Sequence, residues 1–235
     1  MREDQAYAMD QAIERGDAAA LGSLLSAEPR LTGTPIPVKQ DWGEEMWLGL
    51  HRAAARGAVE LVSLLLEAGA SIDSRTRFRT PMHGRETALL IASRAGHDPV
   101  VAYLLEQHAE ADLLDANHRS ALSHAAACGH IAIVQRLIDT NVPLDPVDEQ
   151  HRTPLHWAIA GGHVDAAIAL IDAGGDVDHT CPKEAGGFTP LHRCASVGEV
   201  MLPVVARLKR AGADTTLRDP RFGKTADELA EVSDV

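Results

Sequence analysis

Apolar residues recur along the chain in short blocks with helical spacing, and each block stops beside a residue that can end a helix. The block at 59–66 is repeated at 131–138, with apolar positions at intervals of three and four. This spacing places the apolar side chains on one face of a helix. The apolar residues of the two blocks are Val59, Val62, Leu65 and Leu66 in the first, and Ile131, Val134, Leu137 and Ile138 in the second. The blocks predict short helices that end at Gly69-Ala70, His108-Ala109, Asn141-Val142, Gly174-Gly175 and Gly212-Ala213.

A second kind of segment precedes these helices and begins with a capping residue. Residues 153–158 read TPLHWA and residues 189–194 read TPLHRC, with degenerate copies at 48–53, 87–92 and 120–125. Thr or Ser is a good N-cap, and Pro is favoured at the first helical position. A glycine that can adopt the left-handed conformation and end the helix follows nine residues after each start. These glycines are Gly57, Gly96, Gly129, Gly162 and Gly198.

The spacing of these segments makes the chain a repeat. The starts at 87, 120 and 153 lie 33 residues apart, and those at 153, 189 and 225 lie 36 apart. The pattern closely resembles the ankyrin repeat, whose period is about 33 residues with a T-P-L-H-x-A signature. It covers nearly the whole chain, although the first segment lacks the box, the last is truncated, and the 74–86 connection is longer than usual.

The resemblance implies an all-α ankyrin-repeat solenoid of helix-turn-helix units with β-hairpin-like fingers, about six repeats and a partial C-terminal cap. Such units are stabilised by stacking on their neighbours. We expect a single ankyrin-repeat domain over 1–235. Its expected units are an N-terminal cap at 1–40, repeats at 41–74, 82–114, 115–147, 148–180 and 184–218, and a C-terminal cap at 219–235.

Composition agrees with this architecture and narrows the partners. Hydrophobic residues make up 45% of the chain and aromatic residues only 3%, which favours close helix packing through Ala, Leu, Val and Ile. The net charge of -12 argues against nucleic acid as the main partner. No signal peptide or membrane-spanning run is evident, and three cysteines fit no disulfide framework. We therefore expect a cytoplasmic protein without membrane association, and its capped ends predict a monomer.

Histidines and cysteines raise the question of a metal or catalytic site. Six of the twelve histidines recur at fixed positions of the repeat, which indicates a structural role: His51, His97, His130, His156, His163 and His192. His179-x-Cys181 and His192-x-Cys194 have the residue types of a zinc site, but their one-residue gap is shorter than usual. The common nucleophile, phosphate-loop and metalloprotease motifs are missing from the sequence. We predict no catalytic residue, no metal and no cofactor.

The resemblance also implies where a partner binds. In ankyrin-repeat proteins the partner contacts the concave side, which is formed by the finger tips and the exposed ends of the first helices. Two aromatic residues fall at predicted exposed tips, and aromatic and arginine side chains are enriched at binding hot spots. The predicted partner-binding residues are Trp47, Arg56, Arg77, Arg79, His83, Arg94, Asn117, Arg119, Gln150, Arg152 and Phe188.

Arginines are concentrated in one part of this acidic chain. The stretch 75–94 contains five arginines, and Glu86 is the one opposing charge. Most of them belong to the extended connection 74–86, and long insertions in compact arrays are often functional. Arginine can engage carboxylates and phosphates through two parallel hydrogen bonds. The stretch therefore predicts binding of an acidic or phosphorylated segment, and a solubilising loop is the alternative.

These observations predict a protein–protein interaction module, acting as a scaffold, an adaptor or a regulator and not as an enzyme. A second hypothesis is a small enzyme or an anionic-ligand-binding protein that uses the arginine-rich groove, with His83 or His124 as acid or base. A third is an inert spacer, for which changes in the groove would have no effect.

Overall fold

The computed structural model describes residues 2–40, 43–78, 84–181, 188–218 and 223–228. The side chains of residues 2–4, 37–40, 43–45 and 78 are not part of this description. The chain divides into two compact units, residues 1–117 and residues 118–235. The single domain expected from the repeat stays a prediction.

The first unit consists of paired helices whose members pack on the next pair. Helix α1 packs on α2, α3 on α4, and α5 on α6, while α3 also contacts both α1 and α5. The second helices of the pairs pack in the same order, α2 on α4 and α4 on α6. The bounds are α1 Arg2–Arg15, α2 Ala18–Ala27, a 3-10 helix Pro29–Gly33, α3 Gly49–Ala55, α4 Val59–Glu67, α5 Ala88–Ala95 and α6 Asp98–Glu106.

A small antiparallel sheet joins the fingers of the first unit. It has the strand order β1-β2-β3, with β1 Ile36–Gln40, β2 Gly43–Trp47 and β3 Arg77–Phe78. In its register Ile36 lies opposite Trp47, and Met46 lies opposite Arg77. The first finger is thus a complete hairpin that begins ahead of residue 41, the expected start of its repeat. The all-α class is confirmed, and β-structure is confined to the fingers in the described residues.

The second unit repeats the same arrangement with a modified last pair. The first helices α7, α9 and α11 pack side by side, and the second helices α8, α10 and α12 do the same. After α11 the chain makes a 3-10 turn before the next helix, where the earlier repeats continue directly. The bounds are α7 Ala121–Cys128, α8 Ile131–Asp139, α9 Pro154–Ala160, α10 Val164–Asp172, α11 Pro190–Val197, the 3-10 helix Glu199–Met201 and α12 Leu202–Arg210.

The helix caps lie where the sequence places them. Ser120 Oγ accepts a hydrogen bond from the Ser123 N–H at 3.0 Å, and Thr87 caps α5 in the same way. Gly96 and Gly129 end their helices with φ of 80° and 71°, in the left-handed region where a side chain is strained. Local sequence alone therefore sets the beginning and the end of these first helices.

Side-chain hydrogen bonds tie each repeat to its neighbour. The His51 Nε2–H donates to the Ser74 carbonyl at 2.9 Å, while Nδ1 of the same ring accepts from the Leu48 N–H. Equivalent bonds run from His156 to Phe188, from His192 to Lys224, from His97 to Ala55 and from His163 to Ala127. Three aspartate carboxylates also join neighbouring repeats. Each accepts a hydrogen bond from a backbone N–H about one repeat further along the chain: Asp73 from Glu110, Asp145 from Asp176, and Asp178 from Asp214. The structural role expected for these histidines is confirmed by their bonds.

Buried side chains are mainly aliphatic, as the composition predicts. The largest fully buried ones include Met9, Leu50, Leu104, Leu122 and Ile133. None of the described helices combines the length and the apolar composition that crossing a bilayer requires.

Candidate functional site

The most concentrated group of recognition side chains in the second unit surrounds Trp157. This tryptophan belongs to α9, and Arg152 comes from the finger that leads into the same helix. The Cζ atom of Arg152 lies 3.8 Å from the centre of the indole ring, and the Cζ atom of Arg119, from the preceding finger, lies 4.1 Å from it. All three side chains are half-buried. Two cations thus stack on one aromatic ring, an attractive arrangement because the ring face is electronegative.

The carboxylate of Asp148 holds Arg152 and Trp157 in position. Its Oδ1 accepts from the backbone N–H groups of Gln150 and Arg152, at 2.8 and 2.9 Å. Its Oδ2 accepts from Arg152 Nε at 2.9 Å and from Trp157 Nε1 at 3.2 Å. Aspartate at the start of a turn commonly binds the backbone two residues on, so the sequence favours this geometry locally. The buried carboxylate therefore sets the finger turn and orients both the arginine and the indole.

The nearby histidine contributes no positive charge at neutral pH. Burial lowers the pKa of His156 to about 4, against the hydrogen bond to Phe188, which raises it. Interactions with His179 and with Arg193 of α11 lower this pKa further, and the interaction with Asp148 raises it. Within the same repeat, the Thr153 hydroxyl donates a hydrogen bond to Nδ1 of His156 at 2.9 Å. The positive charge near this histidine is thus carried by arginines, Arg119 and Arg152 on the Trp157 ring and Arg193 on α11.

Trp47, predicted to be an exposed binding residue, is buried. It keeps only 5% of its surface exposed, and its ring lies edge-on to His51 with centroids 6.4 Å apart. The reason is the hairpin, because Trp47 closes β2 opposite Ile36, which is itself buried. The predicted exposure of Trp47 is therefore wrong, because the side chain packs inside the first finger.

The arginines predicted in the first unit are largely engaged within the protein. Arg56 forms an ion pair with Glu14 at 3.2 Å, and Arg94 forms one with Glu86 at 3.1 Å. Arg75 donates to two backbone carbonyls, those of Arg85 and Leu114, and so serves the fold. Arg77 is exposed on β3, whereas Arg79 and His83 lie outside the described residues. Of the four arginines of the 75–94 stretch that the structure describes, Arg75 and Arg94 are therefore engaged within the protein.

The remaining predicted residues differ in their surroundings. Gln150 is exposed at its finger turn, beside Arg152. Phe188 is half-buried and stacks on His192, with centroids 6.0 Å apart and an interplanar angle of 27°. Asn117, in the first unit, is half-buried and its N–H donates to Asp115. Of the predicted set, the structure brings Arg119 and Arg152 together on one ring, with Gln150 next to them.

The histidines and cysteines of the zinc-like pattern are hydrogen-bonded or buried within the fold. The His179 Nε2–H and the Cys181 thiol both donate to the carbonyl of His151, at 3.1 and 3.2 Å. His192 bonds to Thr189 and to Lys224, and burial raises the pKa of the Cys194 thiol to about 12. A thiol must lose its proton to hold zinc, so Cys194 is a poor ligand in this environment.

An apolar cavity of about 340 Å³ lies at the C-terminal end of the second unit. Its walls include Leu191, Cys194, Leu202 and Val205, and Lys209 at its edge is paired with Asp227 at 3.1 Å. The second hypothesis requires an arginine-lined groove, and none of the described residues that line this cavity is an arginine.

Sequence reasoning missed Trp157 and Asp148, which organise the cluster. A signal was present, because Trp157 occupies the variable position of the TPLHWA segment, where the second copy of the box carries Arg193. Tryptophan is also among the residues most enriched at hot spots. What the sequence does not show is that arginines of two successive fingers meet on this ring.

Comparison with known proteins agrees with the repeats in the sequence and with the fold of stacked helix pairs. The family model for ankyrin repeats, described as three copies, matches residues 9–115, 50–146, 89–181 and 144–219. Stacked helix pairs with projecting fingers define a repeat protein of the class that binds other proteins and is generally not enzymatic. The chain belongs to the ankyrin-repeat family.

A solved structure and two curated proteins are similar to it. The crystal structure of the human ASB11 ankyrin repeat domain superposes with a TM-score of 0.74 at 30% identity, covering 94% of this chain and 90% of that one. A rice (Oryza sativa subsp. japonica) protein named probable E3 ubiquitin-protein ligase XBOS31 is 28% identical over 124 residues, 52% of this chain. The rice E3 ubiquitin-protein ligase XB3 is 31% identical over 108 residues, 46% of this chain. The match spans 25% and 21% of the length of these two relatives.

Proposed function

We propose that this protein recognises an acidic or phosphorylated segment of a partner protein through the surface around Trp157. The observation that carries the proposal is the stacking of Arg119 and Arg152 on one indole ring, 4.1 and 3.8 Å from its centre. By binding such a segment the protein acts as an adaptor or regulator, and not as a catalyst. Recognition of this kind requires one copy of the chain. The monomeric state and the cytoplasmic location expected from the sequence stay predictions.

Charge favours this partner over others. The chain carries a net charge of -12, so a partner with an acidic segment is repelled by most of the surface and attracted where arginines are concentrated. Arg119, Arg152 and Arg193 supply that local positive charge, and Asp148 balances one of them from a buried position. Complementary charge of this kind contributes mainly to specificity and to the rate of association.

Preorganisation favours binding at the same place. Ordering a long side chain at an interface costs on the order of 1 kcal/mol. Arg152 is already held by Asp148 and by the ring of Trp157, so less of this cost remains when a partner binds. Tryptophan and arginine in such half-buried positions are typical of hot spots.

A selection from a random peptide library displayed on phage tests this function. We expect the wild-type protein to enrich peptides rich in Asp and Glu, and Arg119→Glu to bind the selected peptides about thirtyfold more weakly, since hot-spot contacts contribute about 2 kcal/mol. Arg210→Glu makes the same change of charge on an exposed residue of α12 and should bind as wild type. Affinities are measured by isothermal titration calorimetry, after circular dichroism shows equal helicity. Selection of peptides without acidic enrichment, or equal affinity of the Arg119 and Arg210 variants, would contradict the proposal.

A further inference from the structure

The two arginines on Trp157 lie near each other. Their Cζ atoms lie 4.1 and 3.8 Å from the same ring centre, so they are at most about 8 Å apart. Each guanidinium can bind a carboxylate through two parallel N–H···O bonds. The cluster is therefore a pair of anion-binding groups placed on one aromatic ring. This inference rests on the proposed function and concerns the sequence of the segment that binds.

An extended segment presents acidic side chains at a matching distance. Residues i and i+2 of a strand point to the same side and lie roughly 7 Å apart, from a rise of about 3.3 Å per residue. Adjacent residues point to opposite sides, so a pair of neighbouring acids can offer just one carboxylate to this surface. Carboxylates at i and i+2 thus fall within the upper limit of about 8 Å between the two Cζ atoms and on one side of the segment.

A helical ligand fits this surface less well. Helices that dock in grooves bury an apolar stripe with anchors at i, i+3, i+4 and i+7. The side chains that bind the indole of Trp157 through its ring face or its N–H are charged: Arg119, Arg152 and Asp148. An extended segment read through two carboxylates requires no apolar stripe, and the intervening side chain points away from the ring.

Asp148 holds two members of the cluster in place. It is 5% exposed and binds Arg152 Nε and Trp157 Nε1 with the same carboxylate oxygen. Moving Arg152 to fit a ligand of different spacing would break a buried hydrogen bond, which is costly. Asp148 is thus a positioning residue for recognition.

We infer that the Arg119–Trp157–Arg152 cluster binds an extended acidic segment of a partner protein in which two carboxylate residues are separated by one residue. Three nine-residue peptides of identical composition test this, with two glutamates adjacent, separated by one glycine, or separated by two. A fourth peptide carries one phosphoserine and no glutamate. Binding to the full chain is measured by calorimetry at low salt. We expect the peptide with one intervening residue to bind about tenfold more tightly than its isomers, on the scale of one charge-assisted contact.

The outcomes separate this inference from the proposed function. Equal affinity for the three isomers, or preference for the longer spacing or for the phosphoserine peptide, overturns the inference and leaves acidic binding intact. Failure of every peptide overturns both. Asp148→Asn keeps the shape of the side chain and removes its charge. We expect it to reduce the ratio of affinities between the isomers about threefold or more, whereas a purely structural effect would weaken all the peptides in parallel. Arg210→Glu again serves as the matched control.

Discussion

Replacing Gly129 with alanine should lower the free energy of unfolding by about 3 kcal/mol, from backbone strain and overpacking together. Gly129 ends α7 with φ of 71°, in the region that side chains avoid. A Cβ atom at this position would lie 2.4 Å from Nδ1 of His163 and 2.8 Å from its Cγ. The ring cannot retreat freely, because its Nε2–H donates to the Ala127 carbonyl at 3.1 Å. Urea unfolding followed by circular dichroism measures the loss.

Gly162 provides the matched control. It occupies the same position of the next repeat with φ of 75°, and a Cβ atom there meets nothing within 4 Å. Alanine at Gly162 should therefore cost only the left-handed strain, roughly 1–2 kcal/mol. In a His163→Ala background the cost of Gly129→Ala should fall to the same value, since the ring is gone. Equal costs for Gly129→Ala and Gly162→Ala in the wild-type background would show that contact with His163 is unimportant.

Acidification from pH 7.5 to pH 4.5 should destabilise the protein by several kcal/mol. Burial lowers the pKa of His51 and of His156 to about 4, against an ordinary value near 6.5. Below pH 6.5 the unfolded chain therefore binds protons that the folded chain excludes, and stability falls as the pH approaches 4. Above pH 7 these two residues add no pH dependence. Linkage gives a loss on the order of 2–3 kcal/mol for each histidine at pH 4.5.

His156→Gln isolates one of these contributions. Glutamine does not titrate, so the variant should lose 2–3 kcal/mol less than wild type between pH 7.5 and 4.5, on the order set by linkage. At pH 7.5 the variant itself should be less stable, because the bonds to Thr153 and Phe188 are altered. Urea midpoints at the two pH values give both quantities. The explanation fails if wild type and variant lose the same stability on acidification, since His51 is present in both.

The sequence predicts those parts of the fold that depend on a few adjacent residues. Ser120 and Gly129 begin and end α7 because a hydroxyl can cap a helix and a glycine can turn left-handed. Local chemistry, repeated at a constant interval, is sufficient for these caps. The finger turns are less evident from the sequence, because His118 and His151 adopt a positive φ, 61° and 62°, which glycine adopts more readily.

The candidate surface depends on contacts that no local sequence pattern predicts. Trp47 looked exposed because its place in the repeat is a finger tip, and the hairpin that buries it comes from residues preceding the repeat. Trp157 gains its arginines from two fingers whose sequences are 33 residues apart. Periodicity fixes backbone conformation, whereas the meeting of long side chains also depends on rotamers and on the competing partners nearby. Glu14 and Glu86, for example, decide that Arg56 and Arg94 are engaged.

The histidine and aspartate bonds between neighbouring repeats also determine how the protein responds to a pulling force. Within each unit every such bond joins one repeat to the next, as from His156 to Phe188 or from Asp178 to Asp214, so these bonds lie in series. Elements in series all carry the same tension, and the weakest junction opens before the others. Because each repeat depends mainly on its neighbours, opening one junction leaves the more distant repeats folded. Under load we therefore expect each unit to lengthen in steps of about one repeat, which stretching of single molecules would measure.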